Sequence, residues 1–195
     1  MNQKDIIEFF DRCAPNWDAR MIINDAIVTE ILENANVKSY NNILDVACGT
    51  GVMIPYYLMR GAVHVDAIDI SPCMANIARS KFPRNDVNII CGDVEKLEIT
   101  PKYDNIIIYN AFPHFPEPER LIEHLSAMLT PSGTLTVAHG MSREKIDALH
   151  KGGASRVSMG LLSARELASI FGKYLHVTTI ISDSRMYQVV GIKEV

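Results

Sequence analysis

The residues best suited to chemistry lie between positions 43 and 51, Ile43-Leu-Asp45-Val-Ala47-Cys48-Gly49-Thr-Gly51. An apolar run carrying one acid enters a Gly-x-Gly turn and then a helix-forming stretch, 52–60. Glycines at such a turn let the backbone bend tightly and let a ligand approach closely. Where a dinucleotide fingerprint requires a third glycine, this chain has Ile54. A carboxylate at Asp45 would repel a pyrophosphate but attract a ligand carrying an ammonium and a sulfonium. Asp69 ends the next apolar run, 18 residues past Gly51, where an acid can accept from both ribose hydroxyls. The combination suits a positively charged nucleoside better than NAD. A nucleotide-dependent oxidoreductase is the rival that Ile54 and Asp45 count against.

A second group of reactive side chains follows the later apolar runs. His114 sits in Asn110-Ala-Phe-Pro-His114-Phe115, and His139 and His150 bracket the stretch after the fifth run. A neutral imidazole can take a proton near the working pH, so each is a candidate general base. The plainer alternative is that each satisfies backbone groups at a helix start. Three histidines from adjacent loops could also hold a metal, although no HxH or HExxH spacing is present. His64, His124 and His176 fall on predicted elements and read as surface or filler. Arg143 and Arg156, the latter in the Gly-rich stretch 151–160, suit either an anionic substrate group or a surface loop. Cys13, Cys48, Cys73 and Cys91 form no CxxC pair and read as reduced thiols.

The elements that must position these residues alternate along the chain. Apolar runs at 42–47, 63–70, 87–91, 104–109 and 133–138 suit strands buried on both faces. Helical patterns are expected over 2–12, 21–36 and 52–60, after the Ser71-Pro72 cap, from Glu117 to Leu129, and from the capping box Ser163–Glu166 to Phe171. Residues 175–181 and 186–192 read as a closing antiparallel hairpin. The fold class is therefore α/β, a Rossmann-like, mostly parallel sheet with helices on both faces, with ligands bound outside the carboxyl ends of the strands. At 195 residues the chain is expected to form one domain. A net charge of −4 and a pI near 5.8 argue against a protein that coats duplex nucleic acid. No apolar run approaches the roughly 18 residues of a membrane span, and no signal-peptide pattern opens the chain, so a cytoplasmic location is expected.

These motifs resemble those of the class I S-adenosylmethionine-dependent methyltransferases. ILDVACGTG resembles the family's first motif, and Asp69 in VDAIDIS the acidic ribose position of its second. Cys91-Gly-Asp93-Val94 resembles the third, whose Asp accepts from the adenine amino group. Tyr103-Asp-Asn-Ile-Ile-Ile and Leu129-Thr-Pro-Ser-Gly-Thr-Leu resemble the fourth strand and the turn into the fifth. FFDRCAPNWD resembles the segment that closes over the cofactor in the quinone-methylating (type 11) branch. Asn110-Ala-Phe-Pro is similar to the Asn-Pro-Pro-Tyr motif of nitrogen methyltransferases, departing from it at Ala111. The resemblance implies seven strands in the order 3-2-1-4-5-7-6, the last antiparallel. It also implies S-adenosylmethionine as cofactor, with S-adenosylhomocysteine as product. The implied cofactor residues are Trp17, Asp45, Ala47, Cys48, Gly49, Gly51, Asp69, Ile70, Met74, Asp93, Val94 and Asn110. Residues 1–40 would form a helical lid and 140–162 a substrate-side insertion. The expected function is in-line methyl transfer to a small-molecule acceptor, with His114, His139 or His150 as base. The alternatives are a metal-assisted reaction at those histidines and a non-catalytic cofactor-binding protein. A monomer or homodimer is expected, with no nucleic-acid partner.

Overall fold

The computed structural model describes residues 2–98, 100, 102–150 and 155–194, without the side chain of His150. Helices α1 (Gln3–Cys13), α2 (Trp17–Arg20) and α3 (Asp25–Asn34) precede the sheet. Then follow β1 (Asn42–Val46), α4 (Ile54–Met59), β2 (His64–Asp69), α5 (Pro72–Lys81), β3 (Val87–Cys91), β4 (Tyr103–Tyr109), α6 (Pro118–Ala127) and β5 (Leu129–His139). Helices α7 (Arg143–His150) and α8 (Ala164–Phe171) lead to the hairpin β6 (His176–Ser182) and β7 (Tyr187–Ile192).

The strands form one seven-stranded sheet in the order β3-β2-β1-β4-β5-β7-β6. All neighbouring pairs are parallel except those made by β7, which runs antiparallel to β5 and β6. Chain direction across the sheet reverses between β1 and β4, the point where ligands bind in open α/β sheets. Alternation along the strands supplies two cores. Leu44, Val46, Ile106, Ile108, Leu135 and Val137 pack under α6 and α8. Ile43, Val65, Ala67 and Ile107 pack under α3, α4 and α5. Buried Asp66 ties β2 to its neighbours by accepting from Tyr103 Oη at 2.7 Å, Asn88 Nδ2 at 2.7 Å and Lys102 Nζ at 3.0 Å.

Three boundaries differ from the sequence expectation. The helix expected over 21–36 begins at Asp25, because Asn24 Oδ1 caps it by accepting the Ala26 and Ile27 amides. The separate turn α2 precedes it. The strand expected from 133 begins at Leu129, which pairs with Tyr103 before a register shift brings Thr134 opposite Asn105. That irregularity hid the strand's first half behind a Thr-Pro-Ser-Gly turn signal. The 140–162 segment contains α7, for which no helix was expected, and its residues 151–154 lie outside the described residues.

Candidate functional site

The two central strands each end in a residue of left-handed backbone. Ala47 follows β1 at φ 55° and Asn110 follows β4 at φ 56°. Non-glycine residues take this conformation at some cost, and such residues cluster at ligand sites. Both chains turn aside there, and between them opens a cavity of about 400 Å³. Every cofactor residue expected from the sequence lines it except Gly51. Gly51 acts behind the wall. Its φ is 84°, and a Cβ there would lie 2.7 Å from the Phe82 ring and 2.9 Å from Ile54.

Two acids organise the loops. Asp69 accepts the Gly49 amide on Oδ2 and the Ser71 amide on Oδ1, both at 2.8 Å, so it joins the turn after β1 to the turn after β2. Burial raises its pKa against the pull of those amides. Asp45 is fully enclosed, and burial pushes its carboxyl up to about 8, with the Tyr57 hydroxyl opposing and the Asp69 charge adding to the rise. Among the described residues its Oδ2 has no hydrogen-bond partner. A buried, cavity-lining acid with an unmet oxygen fits a cationic ligand and not a pyrophosphate.

The N-terminal helices close the cavity through three polar contacts, one to each loop. Gln3 Nε2 donates to Asp93 Oδ2 at 2.8 Å, after β3. Asp11 Oδ1 accepts Ser71 Oγ at 2.5 Å and the Cys73 amide at 3.1 Å, at the start of α5. Asp18 accepts Thr50 Oγ1 at 2.5 Å and Lys81 Nζ at 2.9 Å, after β1. Burial alone would raise Asp18, but the Lys81 and Thr50 bonds hold it below the usual carboxylate range. Between these contacts Trp17 stands over the glycine turn, its Nε1 3.6 Å from where a Gly49 Cβ would be.

Comparison with known proteins agrees with this geometry. Residues 43–133 match a family described as a methyltransferase domain. The malonyl-[acyl-carrier protein] O-methyltransferase of Acetivibrio thermocellus is 33% identical over 139 residues, 69% of this chain and 49% of that protein. The chain carries a methyltransferase domain, and its likeness is to the class I S-adenosylmethionine-dependent methyltransferases. A ubiquinone biosynthesis O-methyltransferase of Coxiella burnetii is 26% identical over 144 residues, 69% of this chain and 61% of that one. The chain thus spans about half to three fifths of the length of these curated relatives. Among solved structures, a methyltransferase seen with the Trm112 activator of Haloferax volcanii shares the fold at TM-score 0.79 and 17% identity, covering 100% of this chain and 98% of that one. The N-methyltransferase NodS of Bradyrhizobium japonicum, in complex with S-adenosylhomocysteine, gives TM-score 0.75 at 14% identity, covering 96% and 97%.

The histidines of this domain fare differently. His114 lines the cavity, with Nδ1 2.6 Å from the Val157 carbonyl and its ring edge-on to Phe10 at 4.9 Å. A carbonyl only accepts, so Nδ1 carries a proton, and in the neutral ring the lone pair falls on Nε2. His139 does not line the cavity. It ends β5, one strand beyond the cleft, where it is buried edge-on to Tyr187 of β7 at 5.9 Å. His150 ends α7, and its side chain lies outside the described residues. Among the described residues, no group of three or more His, Cys, Asp or Glu side chains is arranged to hold a metal. Asn110 Oδ1 accepts the Gly140 amide at 3.0 Å, so that oxygen ties two loops together. Arg143 Nε donates to the Leu161 carbonyl at 3.0 Å, in a separate depression away from the cavity.

Sequence reading missed Gln3, Met21, Glu95 and Arg120, which also line the cavity. Glu95 and Arg120 form a two-pronged ion pair at 2.8 and 2.9 Å. Nothing in their local pattern marks them. Docking of α1 and α6 at the strand ends brings Gln3 and Arg120 to the site, whereas Met21 follows α2 and Glu95 lies two residues past Asp93. Among the described residues, no helix is long and apolar enough to cross a membrane.

Proposed function

We propose that this protein transfers a methyl group from S-adenosylmethionine to a small, largely apolar acceptor bearing an O–H or N–H nucleophile. The observation that carries the reading is the buried Asp45 with its unmet oxygen, set beside a glycine turn that holds no pyrophosphate signature. Asp69 accepts from the ribose hydroxyls on the lone pairs its two amide bonds leave over. Asp93 accepts from the adenine amino group, with Ile70, Met74 and Val94 as the apolar walls of the ring site. Asp45 faces the cationic part of the cofactor, and Trp17 covers it.

When bound, the cofactor supplies an electrophilic methyl on a sulfonium. The chain's part is to orient the acceptor, exclude water and remove a proton. Phe10, Met21, Phe115 and Pro116 line the cavity beside His114 and give an acceptor an apolar enclosure. His114, with its tautomer set by Val157, takes the proton of the nucleophile at Nε2. The curated relatives compared above are named as O-methyltransferases, which favours an oxygen nucleophile. α1 and α2 serve as the lid, and its three polar contacts release when cofactor exchanges.

The test is a calorimetric titration with S-adenosylmethionine, S-adenosylhomocysteine and NADH, followed by methyl-label transfer to a panel of phenols, carboxylic acids and amines. Tight binding of the first two, no binding of NADH and label on an oxygen acceptor are expected. NADH binding with indifference to S-adenosylhomocysteine would overturn the reading. Binding without label transfer to any acceptor would favour a non-catalytic role.

A further inference from the structure

At the end of β3 the Asp93 carboxylate is committed on both oxygens. Oδ1 accepts the Glu95 amide at 3.1 Å, and Oδ2 accepts Gln3 Nε2 at 2.8 Å, with Lys96 Nζ at 3.4 Å. Gln3 and Asp93 both line the cavity, yet they are 90 residues apart and meet only because α1 lies across the strand ends. A carboxylate can only accept, so the Gln3 amide must present its nitrogen to Asp93. This fixes the orientation of the carboxamide, and its Oε1 is left as an acceptor whose position is held through Asp93.

From this contact we infer that Gln3 is a specificity-determining residue, pairing with Asp93 to read the exocyclic amine at the 6-position of the cofactor's purine. The inference rests on the proposed placement of adenine beside Asp93. An exocyclic amine brings two N–H donors. Asp93 takes one on a remaining carboxylate lone pair, and Gln3 Oε1 takes the other. A 6-oxo purine offers an acceptor there instead, and it would meet two oxygens with no donor between them. Sites that hydrogen-bond a particular group reject the analogue lacking it more strongly than apolar pockets reject a change of shape. The lid residue thereby senses the base as well as covering it.

The contact lies at the first turn of α1, which keeps its Asn2 cap and its buried anchor Ile6 without it. A Gln3 variant is therefore expected to fold, as a thermal melt checks. The experiment compares S-adenosylhomocysteine with S-inosylhomocysteine, its 6-oxo counterpart, by calorimetry on the full chain and on Gln3→Leu and Asp93→Ala. The wild type is expected to prefer the adenosine ligand by about tenfold or more. Gln3→Leu is expected to weaken that ligand by about 5–10-fold while leaving the inosine ligand unchanged, the size of one lost hydrogen bond. Equal weakening of both ligands, an unchanged ratio, or tighter adenosine binding by Gln3→Leu would overturn the role of Gln3. If Asp93→Ala also leaves both affinities unchanged, the adenine placement itself fails, which separates the two claims.

Discussion

The Gly49 amide donates to Asp69 Oδ2 at 2.8 Å, so the residue that turns the chain after β1 is held by the acid that ends β2. Asp69 therefore orders the glycine turn, and in the proposed reading it also receives the ribose. Asp69→Ala removes both and is expected to weaken S-adenosylhomocysteine binding by about 2–3 kcal/mol. Asp69→Asn keeps one acceptor oxygen and is expected to lose less. Calorimetry measures both losses, and unchanged affinity in a folded Asp69→Ala variant contradicts the ribose assignment.

Asp45 predicts a proton linkage. Burial raises its carboxyl to about 8, so the free protein holds it largely neutral at pH 7. A cation bound beside it favours the carboxylate and lowers that pKa. Binding near neutrality then releases a proton. Cofactor affinity rises as pH climbs toward 8 and levels off above it. Titrations in buffers of different ionisation enthalpy count the protons released. Asp45→Asn is expected to abolish the release and flatten the pH dependence, whereas release persisting in Asp45→Asn assigns the proton elsewhere.

The framework was legible because each part of it has a local cause. The strands announce themselves as short apolar runs, and the Ser71-Pro72 and Ser163–Glu166 caps fix the starts of α5 and α8. The glycine turn, Asp69 and Asp93 carry the family's motif spacing, which put them at the cavity. What stayed hidden depends on tertiary packing. Nothing near Gln3 reveals that it meets Asp93, and His114 and His139 look alike in sequence. They separate only because β4 borders the cleft while β7 covers the end of β5. Asn110 reads in sequence as a cofactor residue, and it lines the cavity, but that its Oδ1 accepts the Gly140 amide shows only in the fold.

Gly51 tests the turn from behind the cavity wall. Its positive φ and the closeness of Phe82 and Ile54 leave no room for a side chain. Gly51→Ala is expected to cost about 1–3 kcal/mol of stability from the left-handed strain alone, and Gly51→Val more. Chemical denaturation gives the first number. A folded Gly51→Val protein with full cofactor affinity would show that the turn tolerates displacement.

Asp18 fastens the proposed lid through Thr50 and Lys81. Asp18→Ala releases α2 from the glycine turn and is expected to speed cofactor dissociation about 5–20-fold, a loss of about 1–2 kcal/mol for a half-exposed contact. Thr50→Val removes only the Oγ1 donor, so its effect should be smaller and should vanish in the Asp18→Ala background. Stopped-flow fluorescence of Trp17, the chain's single tryptophan, follows the lid directly. Additive effects of the two substitutions would mean that they act at separate contacts.

His114 combines cavity exposure with a tautomer fixed by the Val157 carbonyl at 2.6 Å. A general base acts on the transition state and adds little to ground-state cofactor binding. His114→Ala is accordingly expected to lower kcat by about 10²–10⁴-fold with S-adenosylhomocysteine affinity nearly unchanged. His139→Ala, buried against Tyr187 away from the cavity, is expected to lower stability and leave the kinetics of the folded fraction intact. Methyl-label turnover measured beside calorimetry and thermal melts separates the two histidines. Parallel loss of turnover and cofactor affinity in His114→Ala would assign that residue to loop structure instead of proton transfer.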